Sequence, residues 1–225
     1  MTTIPNFRDV GGVLGLDGAR VRDGHVLRSG VPAATDTVPD GSAWPPAVVV
    51  DLRSSVEVED EHPLVATGAR HVNLPLLQAL RPGWHQDGTL VLLYGLVLDE
   101  SADLLVRLVD EVADAGGPTL VHCAAGKDRT GISVALLLRL LGVGRDDVVA
   151  DYLLTAQHTH EIDQRLRGER GLPRSLPAHF YGVPAEAIEG VLDRWDAHER
   201  GTEGWFLDAG GDPASLDRLR STLLA

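Results

Sequence analysis

The sequence predicts an α/β fold in which a central, mostly parallel sheet is flanked by helices and followed by a helical C-terminal extension. Three observations predict it. Ala47-Val48-Val49-Val50 and Pro118-Thr119-Leu120-Val121-His122 are apolar runs without polar alternation, as expected of strands covered on both faces. Strand-like and helix-like segments alternate as far as residue 144. From Arg145 onward the pattern is helical to the last residue. A chain of 225 residues suits one domain, 1–225, with 145–225 as its helical part.

Taken in order, Ala19 to Arg28 reads as two short strands about the Asp23-Gly24 turn, and Pro32 to Pro46 as a surface connection. The Ala47–Val50 strand ends at Asp51, and Ser54 to Glu61 is expected to be helical. Arg70 to Pro75 predicts another strand. Pro82, Gly83, Gly88 and Gly95 interrupt the region from Leu76 to Asp99, which carries no clear period. Ser101 reads as the N-cap of a helix with Leu104, Leu105, Leu108, Val109 and Val112 on one face, ended by Gly116-Gly117. The second buried strand leads into a helix that has Arg129 one turn in, is apolar almost throughout from Ile132 to Leu141, and is stopped by Gly142. Later stripes are Val148, Val149, Tyr152 and Leu153; Ile188, Val191, Leu192 and Trp195 after Pro184; and Leu216, Leu219 and Leu223 after Asp212-Pro213. Arg165 to Ser175 is basic and polar, so 158–182 is either a lid or rim over a site or a solvated connection.

A formal net charge of −13 argues against nucleic acid or an anionic membrane as partner. The longest apolar run, Ile132 to Leu141, is too short to span a bilayer. Cys123 is the single cysteine, which excludes an internal disulfide and suits a reducing compartment. The N-terminus lacks the basic start and apolar core of a signal peptide, so a cytoplasmic location is expected, with export by another route left open. Nothing in the sequence sets an oligomeric state.

Cys123 lies in a tight strand-to-helix loop, and Arg129 follows it after five intervening residues. At a helix N-terminus successive N–H groups are unpaired, and the helix dipole adds positive potential, so the loop is suited to an anion. A thiol is only slightly ionised near neutrality, and such a loop, with its cations, favours the thiolate. The planar fork of Arg129 can bind two oxygens of one phosphate, which lysine cannot reproduce. A nucleotide-binding Gly-x4-Gly-Lys-Ser/Thr reading fails because Val121 stands at the first glycine position and Asp128 at the hydroxyl position. The plain alternative is a cysteine buried as a small apolar side chain.

His122-Cys123-Ala124-Ala125-Gly126-Lys127-Asp128-Arg129-Thr130-Gly131 resembles the signature of cysteine-dependent protein tyrosine phosphatases. More narrowly, it resembles the atypical bacterial tyrosine phosphatases of the protein tyrosine phosphatase B type. Asn6-Phe7-Arg8-Asp9-Val10-Gly11-Gly12, Leu27-Arg28-Ser29-Gly30 and Val50-Asp51-Leu52-Arg53 are similar to that family's N-terminal motifs, so the likeness covers most of the chain.

The resemblance implies a cysteine-phosphatase-like sheet and hydrolysis of phosphomonoesters through a cysteinyl phosphate, with no metal and no cofactor. Cys123 is then the nucleophile, and the N–H groups of Ala124, Ala125, Gly126, Lys127, Asp128 and Arg129 hold the phosphate with the Arg129 side chain. Many tyrosine phosphatases carry their general acid in a Trp-Pro-Asp loop, which is absent here. Asp128 matches the acid proposed for the resembled family, and Asp87, in Trp84-His85-Gln86-Asp87, is a minor candidate. Thr130 is expected to donate to the thiolate and His122 to brace the loop. Lys127 serves either a second phosphate or the general charge of the loop. Asp51 either fixes Arg53, Arg129 or Lys127, or merely caps the next helix. Asn6, Asp9 and Arg28 either buttress the loop from behind or serve as ordinary caps and a surface arginine. His158 and His160, two apart on a helix, diverge and are expected to be solvated. The implied partner is a phosphorylated protein or a small phosphorylated metabolite such as a phosphoinositide, nucleotide or biosynthetic intermediate.

Overall fold

The computed structural model describes residues 3–58, 61–77, 88–168 and 178–225. Strands β1 (Arg8–Asp9), β2 (Val26–Ser29), β3 (Val48–Asp51), β4 (Arg70–Asn73) and β5 (Thr119–His122) form one sheet of order β1-β2-β5-β3-β4. All pairs are parallel except β1 with β2. The runs without polar alternation, β3 and β5, lie side by side in the middle and are buried at every position.

Alternate residues divide between two apolar layers, as the two-residue side-chain period requires. Val26, Val48, Val50 and Val121 enter the large core beneath the helices, while Leu27, Val49 and Leu120 meet Leu64, Ala69, Phe7 and Trp44 on the other face. The register places both Ser29 and Asp51 beside His122. Three strands therefore end level, and Gly30, Leu52 and Cys123 leave the sheet along one carboxyl edge, where open α/β sheets place ligands.

The helices are α1 (Leu90–Glu100), α2 (Ala102–Ala113), α3 (Asp128–Leu140), α4 (Arg145–Leu154), α5 (Thr159–Gly168), α6 (Ala185–Asp196), α7 (Gly201–Asp208) and α8 (Pro213–Leu223). α3 is buried from Thr130 to Leu138, and Trp195, Phe206 and Leu219 of the later helices join the same core as the sheet. α8 starts as its sequence indicates: Pro213 occupies the first turn and the Asp212 carboxylate accepts from the Ala214 N–H.

Two expectations need correction. Ser54 does not begin a helix: residues 55–57 form a turn, and the Ser54 N–H and hydroxyl donate to Glu57. That contact has the spacing of a helix capping box, but the same carboxylate also receives Arg129. The limb before Asp23-Gly24 does not pair across the turn with β2; Val21 bridges to Leu224 and β1 takes the place beside β2. The helix that follows the Cys123 loop begins at Asp128, with Arg129 in its first turn, as expected. Ser101 is the N-cap of α2, as expected, although its side chain makes no capping bond. The stretch without a clear period contains α1, whose Gly95 admits Arg194 of α6, and the Arg194 guanidinium donates to the Gly95 carbonyl at 3.0 Å.

Candidate active site

Cys123 follows β5, is a free thiol and is 2% exposed. Behind it the loop is bound by its carbonyls. The Cys123 carbonyl meets His122 Nδ1 at 3.1 Å, the Ala124 carbonyl accepts from the Val31 N–H at 3.0 Å, and the Gly126 carbonyl accepts from Asn6 Nδ2 at 2.7 Å and Arg28 at 2.9 Å. Gly126 has φ +67°, and a Cβ there would stand 2.3 Å from the Ser29 backbone, so only glycine fits. With the carbonyls drawn backwards, the loop's N–H groups are left to its concave side.

Asn6 and Arg28 thus act on the loop, the first of the two readings open in the sequence. Arg28 is fully buried and pairs with Asp151, which also accepts from Arg8 at 2.8 Å; Arg8 in turn holds Asn6 Oδ1. Burial and the neighbouring Arg28 charge lower Arg8 to about 10, whereas Asp151, despite burial, is kept ionised by the two arginines. Asp9 is not part of this support. Its carboxylate accepts from the N–H groups of Gly11 and Gly24 and so caps the N-terminal loops.

Arg129 is held by Glu57, a residue that no motif in the sequence singles out. Its fork donates to both Glu57 oxygens at 2.6 and 2.8 Å, and to the Leu52 carbonyl at 3.3 Å. Burial opposes the Glu57 charge, but the bonds from Arg129 and Ser54 lower its carboxyl to about 2. The one sequence signal was the Ser54-x-x-Glu57 spacing, which also fits a helix start. Of the three cations open to it, Asp51 takes Arg53, in a bidentate pair with its closest approach at 2.7 Å, while Arg129 goes to Glu57 and Lys127 to Asp128. Burial alone would raise the Asp51 carboxyl, but His122, His71 and Arg53 keep it far below the usual carboxylate range.

His122 contacts the loop at the end of a chain of neutral rings. The Leu64 N–H donates to His62 Nδ1 at 3.3 Å, His62 Nε2 faces His122 Nε2 at 3.0 Å, and His122 Nδ1 faces the Cys123 carbonyl. A carbonyl only accepts, so His122 carries its proton on Nδ1 and accepts at Nε2 from His62. One pair of tautomers satisfies all three contacts. Burial, then the adjacent imidazole, lowers His62 to about 3, and burial lowers His122 as well. The donor atoms of Asp51, His62 and His122 lie within 4.8 Å of one another. Since the carboxylate is committed to Arg53 and the rings to each other, the trio fits hydrogen-bonded support better than a metal ligand set.

Asp128 sits on the rim, its side chain 27% exposed, and its Oδ1 accepts from Lys127 Nζ at 2.6 Å and from the Tyr94 hydroxyl at 2.8 Å. Tyr94 meets the Tyr152 hydroxyl at 2.8 Å. In the sequence Tyr152 figures only as one member of an apolar stripe, and Tyr94 lies in the stretch without a clear period. Lys127 also donates to the Phe180 carbonyl at 3.2 Å. The Thr130 hydroxyl is buried and has no hydrogen-bond partner among the described residues. Asp87 lies outside the described residues, as does 169–177 of the expected lid. In the described part, Arg165 is bidentate to Asp36 at 2.6 and 2.9 Å and so anchors α5. His158 pairs with Glu161 and His160 with Gln164.

A mostly parallel sheet that delivers a cysteine loop to the N-terminus of a buried helix is the architecture of an α/β phosphatase. The chain belongs to the tyrosine phosphatase family, whose sequence model matches residues 1–225. A Cupriavidus necator protein named as a tyrosine-protein phosphatase is 36% identical over 92% of this chain and 82% of its own length. The triple specificity protein phosphatase PtpB of Mycobacterium tuberculosis is 37% identical over 53% of this chain and 48% of its own length. A Nostoc commune tyrosine-protein phosphatase is 48% identical over 49% of this chain and 40% of its own. The protein is a phosphatase acting on phosphorylated substrates. Among the described residues no helix is long and apolar enough to cross a membrane.

Proposed function

We propose that this phosphatase is a protein tyrosine or dual-specificity phosphatase that dephosphorylates proteins, with Cys123 as nucleophile, Arg129 and the N–H groups of Ala124 to Arg129 as the phosphate cradle, and Asp128 as general acid. The observation that carries this reading is the Arg129–Glu57 pair, which sets the guanidinium in the first turn of α3 beside a loop whose carbonyls are tied back. Such preorganised donors stabilise the charge of an in-line phosphoryl transfer without reorganising during the reaction.

The Cys123 sulfur forms a bond to phosphorus as the bond to the tyrosyl oxygen breaks, and that oxygen takes the proton of Asp128. Water then attacks the phosphocysteine. Its proton passes to Asp128, the sulfur–phosphorus bond breaks, and inorganic phosphate and the starting thiolate are released. Thr130, with its buried and unpartnered hydroxyl, donates to the departing sulfur. Lys127 is only 7% exposed and already bonded to Asp128 and the Phe180 carbonyl, which favours the role of local charge over capture of a second phosphate.

The test is kcat/KM on a phosphotyrosine peptide against phosphoinositides, nucleotides and sugar phosphates, with Cys123→Ser as blank. A preference of orders of magnitude for the peptide is expected. A small phosphate turned over far faster would replace the substrate assignment with a metabolite, and unchanged turnover in Cys123→Ser would overturn the mechanism.

A further inference from the structure

The two hydrogen bonds received by Asp128 fall on the same oxygen. Lys127 Nζ and the Tyr94 hydroxyl both donate to Oδ1, and among the described residues no hydrogen bond falls on Oδ2. A carboxyl group carries its proton on one oxygen at a time, and an oxygen already receiving two donors is the poorer site for it. We infer that the hydroxyl chain from Tyr152 through Tyr94 is a positioning device for the reaction, which pins Asp128 by Oδ1 and leaves Oδ2 to carry the transferable proton. The inference rests on Asp128 being the general acid.

The direction of the chain is fixed. Tyr94 spends its single proton on Asp128, so at the 2.8 Å contact between the two hydroxyls Tyr152 is the donor and Tyr94 the acceptor. Both rings are buried, at 0% and 1% exposure, and stand edge to face with centroids 6.3 Å apart, so neither hydroxyl can swing to solvent. Burial and the nearby Asp128 carboxylate raise the pKa of both phenols, which keeps them protonated donors through the working pH range. Asp128 itself lies partly exposed at the start of α3, where its side chain would otherwise sample several rotamers. A fixed acid is worth having because proton transfer needs hydrogen-bond reach of the leaving oxygen.

Tyr94 is thus a positioning residue that acts through Asp128. Its removal should matter only when the leaving group needs a proton. The experiment measures kcat and KM of the full chain for phenyl phosphate, a poor leaving group, and 2,4-dinitrophenyl phosphate, a good one, in the wild type, Tyr94→Phe, Asp128→Asn and the double variant. Tyr94→Phe is expected to lower kcat on phenyl phosphate roughly three- to tenfold, the size of one net hydrogen bond, and to leave dinitrophenyl phosphate within about twofold, with KM little changed. In the Asp128→Asn background the same substitution should add no further selective loss. Equal losses on both esters, multiplying with Asp128→Asn, would reduce Tyr94 to packing and overturn the inference while the acid assignment stands. If Asp128→Asn itself loses equally on both esters, the acid assignment fails and the inference with it. Should Tyr94→Phe fold poorly, Tyr152→Phe keeps the bond to Asp128 and is expected to show the same selectivity at smaller size; an unselective loss there counts against the chain.

Discussion

Asp151 and Tyr152 are neighbours on α4, yet they brace opposite flanks of the Cys123 loop. Asp151 holds Arg28, which holds the Gly126 carbonyl; Tyr152 reaches Tyr94, which holds Asp128. One turn of helix therefore sets both the backbone that would cradle a phosphate and the carboxyl that would protonate its leaving group. The approach depends on Gly131, where a Cβ would stand 3.0 Å from the Tyr152 ring.

Asp151→Asn tests the first flank. The substitution keeps the side-chain shape but leaves the guanidinium of Arg28, fully buried, and that of Arg8 beside each other without an anion. Breaking a buried pair from one side costs about 3–5 kcal/mol, so the urea midpoint should fall sharply. Catalysis should fall as well, because Arg28 no longer fixes the Gly126 carbonyl. A midpoint within experimental error of wild type would show that the network is not needed to hold the loop.

Gly126→Ala and Gly116→Ala separate backbone strain from collision. Both glycines have φ +67°, but a Cβ at Gly116 meets nothing within 4 Å, whereas at Gly126 it meets the Ser29 carbonyl carbon at 2.3 Å. Gly116→Ala is expected to cost about 1 kcal/mol, the strain of a left-handed alanine. Gly126→Ala should cost at least about twice that and abolish turnover, since Ser29 lies in β2 and cannot retreat without disturbing the sheet. Similar unfolding midpoints for the two variants would mean that the loop relaxes freely.

How much of this was legible in the sequence depended on distance along the chain. Cys123, Asp128 and Arg129 lie within seven consecutive residues of a loop and the helix turn that follows it, so their types and spacing sufficed to bring them together. Their supports come from far away: Glu57 is 72 positions from Arg129, and Asp151 is 123 from Arg28. Periodicity shows which face of an element is apolar, but among many charged residues it does not identify those buried against each other. Asp23-Gly24 illustrates the same limit in the fold. The turn signal was sound, yet Val21 found its partner in Leu224 at the other end of the chain.

Glu57→Gln should weaken Arg129 without displacing it. The amide retains one acceptor for the fork and loses the charge, and charge-assisted hydrogen bonds are roughly twice as strong as neutral ones. A drop in kcat/KM of roughly tenfold is expected from about 1.4 kcal/mol, with the reaction of iodoacetate at Cys123 nearly unchanged. The wild-type pair should persist into acid. Glu57 is depressed in the folded state to about 2, so its contribution to stability is full above the unfolded value of 4.5 and is lost as pH falls through about 2. An Arg129–Glu57 pair that already opens near pH 5, read as a collapse of phosphate-analogue binding there in wild type but not in Glu57→Gln, would contradict this.

The neutral imidazole chain sets an earlier acid limit than the carboxylates do. His62 and His122 are both depressed when folded, His62 from 6.5 to about 3, so the unfolded chain binds protons that the folded chain refuses. Stability is therefore complete above about 6.5 and declines as pH falls towards 3. A proton on His122 would place two N–H donors head to head across 3.0 Å, and one on His62 would set its Nδ1–H against the Leu64 N–H across 3.3 Å. The urea midpoint of the wild type should thus fall measurably between pH 7 and pH 5. His62→Gln, whose side chain stays uncharged and can still donate to His122 Nε2, should start less stable but show a flatter pH dependence. A slope as steep in His62→Gln as in wild type would place the sensitivity in other histidines and dismiss the chain as the source.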